Sequence, residues 1–138
     1  MSSSASLFCV PADALDRVWP LVQPWVKAAT DKTDGWWGPD DVRAACERGH
    51  AVLWVVLDDS RARAAVVTEI HEGWRQRVGR ISVLGGEGFR HWRHLIAELE
   101  MWAKAQGANR MEIMGRDWSK VLGRDGYVKT ATVVRKPL

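Results

Sequence analysis

Cysteine is scarce in this chain, tyrosine occurs once, and no apolar run is long. Cys9 and Cys46 stand far apart among 138 residues. Two isolated cysteines exclude a disulfide framework and a zinc cluster, and a reducing cytoplasmic setting is the expectation. The longest apolar stretch, Ala51 to Leu57, is far too short to cross a bilayer as a helix. The leading Met1-Ser-Ser-Ser-Ala-Ser6 has neither a basic nor a long apolar segment, so no signal peptide is expected. A strong excess of either charge is lacking too. A net charge of +3 creates no demand for nucleic acid.

What is present describes a folded domain. Apolar residues make up 46% and charged residues 27%, the balance of a globular chain able to bury a core. The length suits one domain over residues 1–138. Nine tryptophans in so short a chain require an account.

Hydrophobic spacing gives the order of elements. Leu7 to Val10 reads as a first strand ended by Pro11. Leu15, Val18, Trp19, Val22, Trp25, Val26 and Ala29 share one helical face. Pro20 and Pro24 fall within that pattern, which predicts two short helices or one kinked helix. A second helix is expected over residues 39–48, with Pro39 in the first helical position and Gly49 as its stop. Ala51 to Leu57, Arg63 to Ile70 and Val78 to Leu84 read as three successive antiparallel strands. The first two do not alternate, so both faces should be covered. A long helix follows from about Arg90 to Gln106, then a strand over Met111 to Met114, a short helix over residues 117–123 and a closing strand from Thr130 to Arg135. This order predicts an α/β (α+β) fold with a mixed sheet of six to seven strands and helices on both faces.

One junction carries the strongest chemical signal. Strand, then Gly85-Gly-Glu-Gly88, then helix leaves backbone N–H groups unpaired at a helix N-terminus, where the dipole favours an anion. A plain tight turn explains the same glycines. Phosphate binding is the first functional reading that Gly85, Gly86 and Gly88 offer.

The element order, Ala103-Lys-Ala-Gln-Gly107 closing the long helix, and Gly126-Tyr127 before the last expected strand resemble the GNAT acyl-CoA N-acyltransferase superfamily. The segments around Trp36-Trp37, Leu84-Gly-Gly86 and Trp118 to Tyr127 are similar to small GNAT-like proteins of tailed phages and prophages. The resemblance implies acetyl-CoA held by residues 84–93, Leu84 included, where the fourth and fifth strands splay apart. In a register counted back from Gly107, Glu87 falls where a basic or amide residue is usual, Gly88 matches a glycine, and Arg90 falls where a second glycine is usual. An alternative register of the resembled turn puts Gly85, Gly86 and Gly88 around the diphosphate of the donor, with Arg90 and Arg93 supplying charge-assisted donors. The resemblance also implies a general-acid tyrosine, but Leu122 occupies the matching position. Tyr127, the only tyrosine, matches a residue normally packed in the core, yet has the chemistry to donate a proton. The base would be Glu69 or Glu112. Glu69 follows the apolar run Ala64 to Val67, where burial would favour its protonated form, although a strand-end glutamate paired with arginine fits as well. Glu112 alternates with Met111 and Ile113 and should face outward.

Other groups have plainer readings. His91 and His94 lie three apart on a helix without a third ligand, so surface histidines are expected and no metal. Trp74 with Arg75, Arg77 and Arg80 makes a basic aromatic hairpin tip, a motif that can engage single-stranded nucleic acid but more commonly is a solvated turn. Trp36 and Trp37 border the region that in the resembled fold receives the acceptor, as a pocket wall or a contact patch. Trp19, Trp25, Trp54, Trp92 and Trp102 fit apolar faces. Two functional expectations follow. One is an acetyl-CoA-dependent N-acetyltransferase acting on an amine. The other is a chemically silent version of the fold, serving as a binding or virion component that contacts a phage structural protein.

Overall fold

The computed structural model describes residues 5–138; Met1 to Ser4, part of the polar leading stretch, lie outside the described residues. Strands β1 (Ala5–Cys9), β2 (Val52–Asp58), β3 (Arg61–Glu72), β4 (Arg77–Gly86) and β5 (Arg110–Ile113) form one sheet in sequence order. Neighbours pair antiparallel as far as β4, and β5 joins β4 in parallel. Helices α1 (Leu15–Thr30) and α2 (Pro39–Glu47) cover one face. Helices α3 (Phe89–Trp92) and α4 (Ile96–Ala105) cover the other, and α5 (Ser119–Leu122) follows β5.

The unbroken apolar strands are explained by this double cover. Leu53, Val55, Ala65, Val67 and Val83 face Leu15, Trp19, Val22, Val26 and Val42. Val56, Ala64, Val66 and Ile81 face Trp92, Leu95, Ile96 and Leu99. Each large side chain buried this way contributes about 1.5–3 kcal/mol. Trp54 keeps its polar handle satisfied: Nε1 donates to the Thr68 hydroxyl at 2.8 Å inside the second core.

The structure decides one sequence expectation and corrects two. Of the alternatives at Pro20 and Pro24, two short helices are ruled out: α1 is a single helix from Leu15 to Thr30. Both prolines sit four apart on the solvent face, so water can satisfy the carbonyls they leave unbonded. The expected helix from Arg90 to Gln106 is instead the four-residue α3, a 3₁₀ turn over Arg93–Leu95, and α4. Trp92 interrupts it at φ −128°, its ring held by Phe89 and by a hydrogen bond to the Glu87 carbonyl. Finally, Thr130 to Arg135 forms no strand, so the sheet has five strands among the described residues rather than six to seven. The Arg135 guanidinium reaches the Thr33 and Asp34 carbonyls and lies over the Trp36 ring, so this β-prone segment meets the loop after α1 as an arm. Strand propensity without a paired neighbour does not make a strand.

Candidate active site

The site begins where two parallel strands part company. Pairing between β4 and β5 runs from Val78–Arg110 to Ile81–Ile113, and its last rung is the Met114 N–H to the Ile81 carbonyl at 3.2 Å. β4 continues to Gly86 with no strand among the described residues opposite its β5-facing edge. At the fork the β3–β4 register steps from Val67–Val83 to Thr68–Ile81, making Ser82 the extra residue of a β-bulge. A bulge re-aims a side chain, and bulges concentrate beside functional sites.

Strand alternation then assembles a polar row at this fork. Glu69 and His71 on β3, Arg80 on β4 and Glu112 on β5 continue the sheet face covered by α1 and α2. The Ser82 hydroxyl donates a short hydrogen bond to Glu69 Oε2. Glu69 Oε1 lies 3.5 Å from His71 Nε2, which is 3.2 Å from Arg80 Nη1. Arg80 Nε donates to Glu112 Oε1 at 2.5 Å. Glu69 retains 21% side-chain exposure, so it is sheltered yet reachable. Cys46 on α2 lies close enough to feel its charge, and burial with that carboxylate pushes the thiol up to about 11. Of these groups, the sequence alone singles out Glu69 and Glu112 as base candidates and places Arg80 in the hairpin patch; His71 and Ser82 emerge only from the structure. The available signal was polar residues two apart interrupting otherwise apolar strands.

The glycine turn is built differently. A Cβ on Gly85 would lie 2.5 Å from the Trp25 carbonyl oxygen, and one on Gly86 would lie 2.4 Å from Ala64 Cα. Their missing side chains therefore admit the protein's own α1 and β3. Gly88 is different: φ is +68° and only the His91 ring approaches its Cβ direction, at 3.6 Å. Leu84 packs partly buried at the edge of the second core. Glu87 bends back, its N–H donating to the Arg63 carbonyl and its carboxylate pairing with Arg63 at 3.1 Å. Arg90 is exposed and forms no hydrogen bond or ion pair among the described residues. Arg93 is committed elsewhere, donating to the Val121 carbonyl at 2.6 Å and to Asp125 at 2.7 Å. An open cleft of about 490 Å³ adjoins the turn, lined among others by Arg63, Glu87, Gly88, His91 and Trp92. No β5 residue borders it, so it is separate from the fork.

The remaining candidates are dispersed. Tyr127 packs against the second core and donates from its hydroxyl to Glu100 on α4 at 2.5 Å. Burial, reinforced by that carboxylate, pushes its pKa far above the ordinary phenol value. Leu122 is fully buried. The tryptophan pair splits, with Trp37 packed against the first core and Trp36 73% exposed beneath Arg135. His91 and His94 are exposed. Arg80 is separated from the hairpin tip, where Arg77 pairs with Glu72 at 3.0 Å and Trp74 stands fully exposed. No helix among the described residues is long and apolar enough to cross a membrane.

Similarity to known proteins lies in the fold. No family model and no curated protein matches the sequence. An aminoglycoside acetyltransferase from an uncultured soil metagenomic sample, in complex with sisomicin, superposes with a TM-score of 0.68 at 10% identity, over 98% of this chain and 95% of that one. The aminoglycoside N-acetyltransferase AAC(6')-Iy in complex with CoA gives 0.68 at 16% identity, over 100% and 97%. A GNAT family acetyltransferase from Staphylococcus aureus gives 0.64 at 13% identity, over 98% and 99%. Across nearly its whole length, this chain has the fold of GNAT acetyltransferases.

Proposed function

We propose that this protein transfers an acyl group from acyl-CoA, with acetyl-CoA as the simplest donor, to an amine. The observation that supports the reading best is the fork: β4 outruns β5, and the bulged Ser82 and sheltered Glu69 stand together at the point of separation. The residues present fit the donor at part of the predicted site. The open edge of β4 beyond Ile81, including Leu84, offers unpaired backbone to a thioester chain. Gly88 leaves space for a diphosphate, and Arg90 has an uncommitted guanidinium. Gly85 and Gly86 shape this turn through their contacts with α1 and β3, and Arg93 anchors the segment after α5. When bound, the donor supplies an activated acyl group.

The chain's own residues supply the rest. Glu69 receives a proton from the acceptor's ammonium, and Ser82 fixes one carboxylate oxygen so that the other faces the row. Free β4 amides beside the fork are available to polarise a carbonyl oxygen. Trp36 offers an exposed aromatic surface beside the arm for the acceptor, with Trp37 supporting it from the core. Tyr127, tied to Glu100, is the weaker choice for a proton donor to the leaving thiolate.

The second reading is a silent fold used for binding, including as a virion component. It draws on buried Leu122 at the tyrosine position and on Glu87 beside the turn. Hydrogen exchange separates the two. Acetyl-CoA should slow exchange of amides over residues 82–92, and thiol release should follow addition of a suitable amine. Unchanged exchange over that segment would refute the acyltransferase reading.

A further inference from the structure

We propose that His71 is a positioning residue that carries the acceptor's proton away from Glu69 by switching the partner of one ring nitrogen. The inference rests on the acyl-transfer reading and extends it to a residue outside the predicted site. A single atom, His71 Nε2, faces two groups with opposite requirements. Glu69 Oε1, at 3.5 Å, needs a hydrogen on Nε2. Arg80 Nη1, at 3.2 Å, always donates and needs Nε2 to present a lone pair. Both requirements cannot be met at once.

In the neutral ring Nε2 accepts from Arg80, so the ring hydrogen sits on Nδ1. In the charged ring Nε2–H turns to Glu69, and Arg80 remains held by Glu112 through its own Nε at 2.5 Å. Glu112 therefore gives the displaced guanidinium a fixed partner. Ser82 occupies the other oxygen of Glu69, leaving Oε1 for the histidine. The groups facing this pair from the packed elements are Glu69 on β3, Arg80 on β4, Glu112 on β5 and, through Glu69, the neutral Cys46 thiol on α2.

The proton path balances at each step. An N–H bond of the acceptor ammonium breaks as an O–H bond forms on Glu69. That O–H breaks as Nε2–H forms on His71, restoring the carboxylate. The imidazolium, 40% exposed, releases its proton to water, and Arg80 recaptures the lone pair. Of the two side chains Glu69 is the more sheltered, at 21% exposure against 40% for His71, so the histidine gives the proton its more open way to water.

Two measurements test the switch. Heteronuclear NMR of the full chain, with His71 signals assigned through His71→Gln, should show the ring hydrogen on Nδ1 at mildly alkaline pH, and Arg80→Met should abolish that preference. A hydrogen on Nε2 in the wild type would overturn the switch. In turnover assays with acetyl-CoA and spermidine, sisomicin or a peptide amine, His71→Ala should lower kcat about tenfold to a hundredfold with KM for acetyl-CoA unchanged. Added imidazole should restore kcat in proportion to its concentration. Wild-type kcat in His71→Ala, or a loss that imidazole does not restore, overturns the relay while leaving acyl transfer intact. Absence of turnover by the wild type on every probe overturns the acyl-transfer reading and the relay with it.

Discussion

The glycine turn and the polar row occupy opposite ends of the scale between sequence signal and structural content. Three glycines in four residues attract attention, yet two of them are filled by the protein's own backbone. The row from Glu69 to Glu112 has no recognisable motif, because its members come from three strands and meet only through register. A glycine reports that something approaches closely, without saying whether it is a ligand or a helix. A polar side chain interrupting an apolar strand reports a site once its neighbours are known.

That contrast can be broken first at Gly86. Gly86→Ala places a Cβ against Ala64 and Arg63 at a φ of +137°, and should destabilise the fold by about 2–4 kcal/mol in urea denaturation. A loss below about 1 kcal/mol would mean that the turn has room to spare and that its glycines are open to a ligand after all. Tyr127 sharpens the comparison from the side of the turn. Its folded-state pKa is raised, so its contribution is complete below the ordinary phenol value of 10.0 and fades as pH rises above it. Tyr127→Phe should cost about 1 kcal/mol at neutral pH and flatten the alkaline loss of stability. A variant that loses acyl transfer without either change would return Tyr127 to the chemistry. The polar row should respond least in stability. Arg80→Met removes a half-exposed ion pair with Glu112 and should shift stability by less than about 1 kcal/mol. A larger loss would make the row a structural brace.

The order of elements was legible because periodicity is local: the unbroken apolar strands, Pro39 at the start of α2 and Gly107 after α4 all lie where spacing placed them. What stayed open or failed was non-local. Pro20 and Pro24 leave one helix or two until the solvent face is known. Thr130 to Arg135 has the composition of a strand, but Arg135 finds its partners on the loop after α1. The candidate site was legible in part for the same reason. Glu69 stands out at the end of an apolar run, whereas the partners of Arg93, Val121 and Asp125, lie on a distant segment that spacing does not place beside it. His71, two residues beyond Glu69, carries only the weak signal of that spacing until the strand register sets it beside Glu69 and Arg80.

The most direct test of the central claim is calorimetric titration of the purified protein with acetyl-CoA, with desulfo-CoA and ATP as controls. The account predicts one site of micromolar affinity, lost in Gly88→Trp and retained in Glu69→Gln. No heat and no thermal shift at millimolar acetyl-CoA would contradict it.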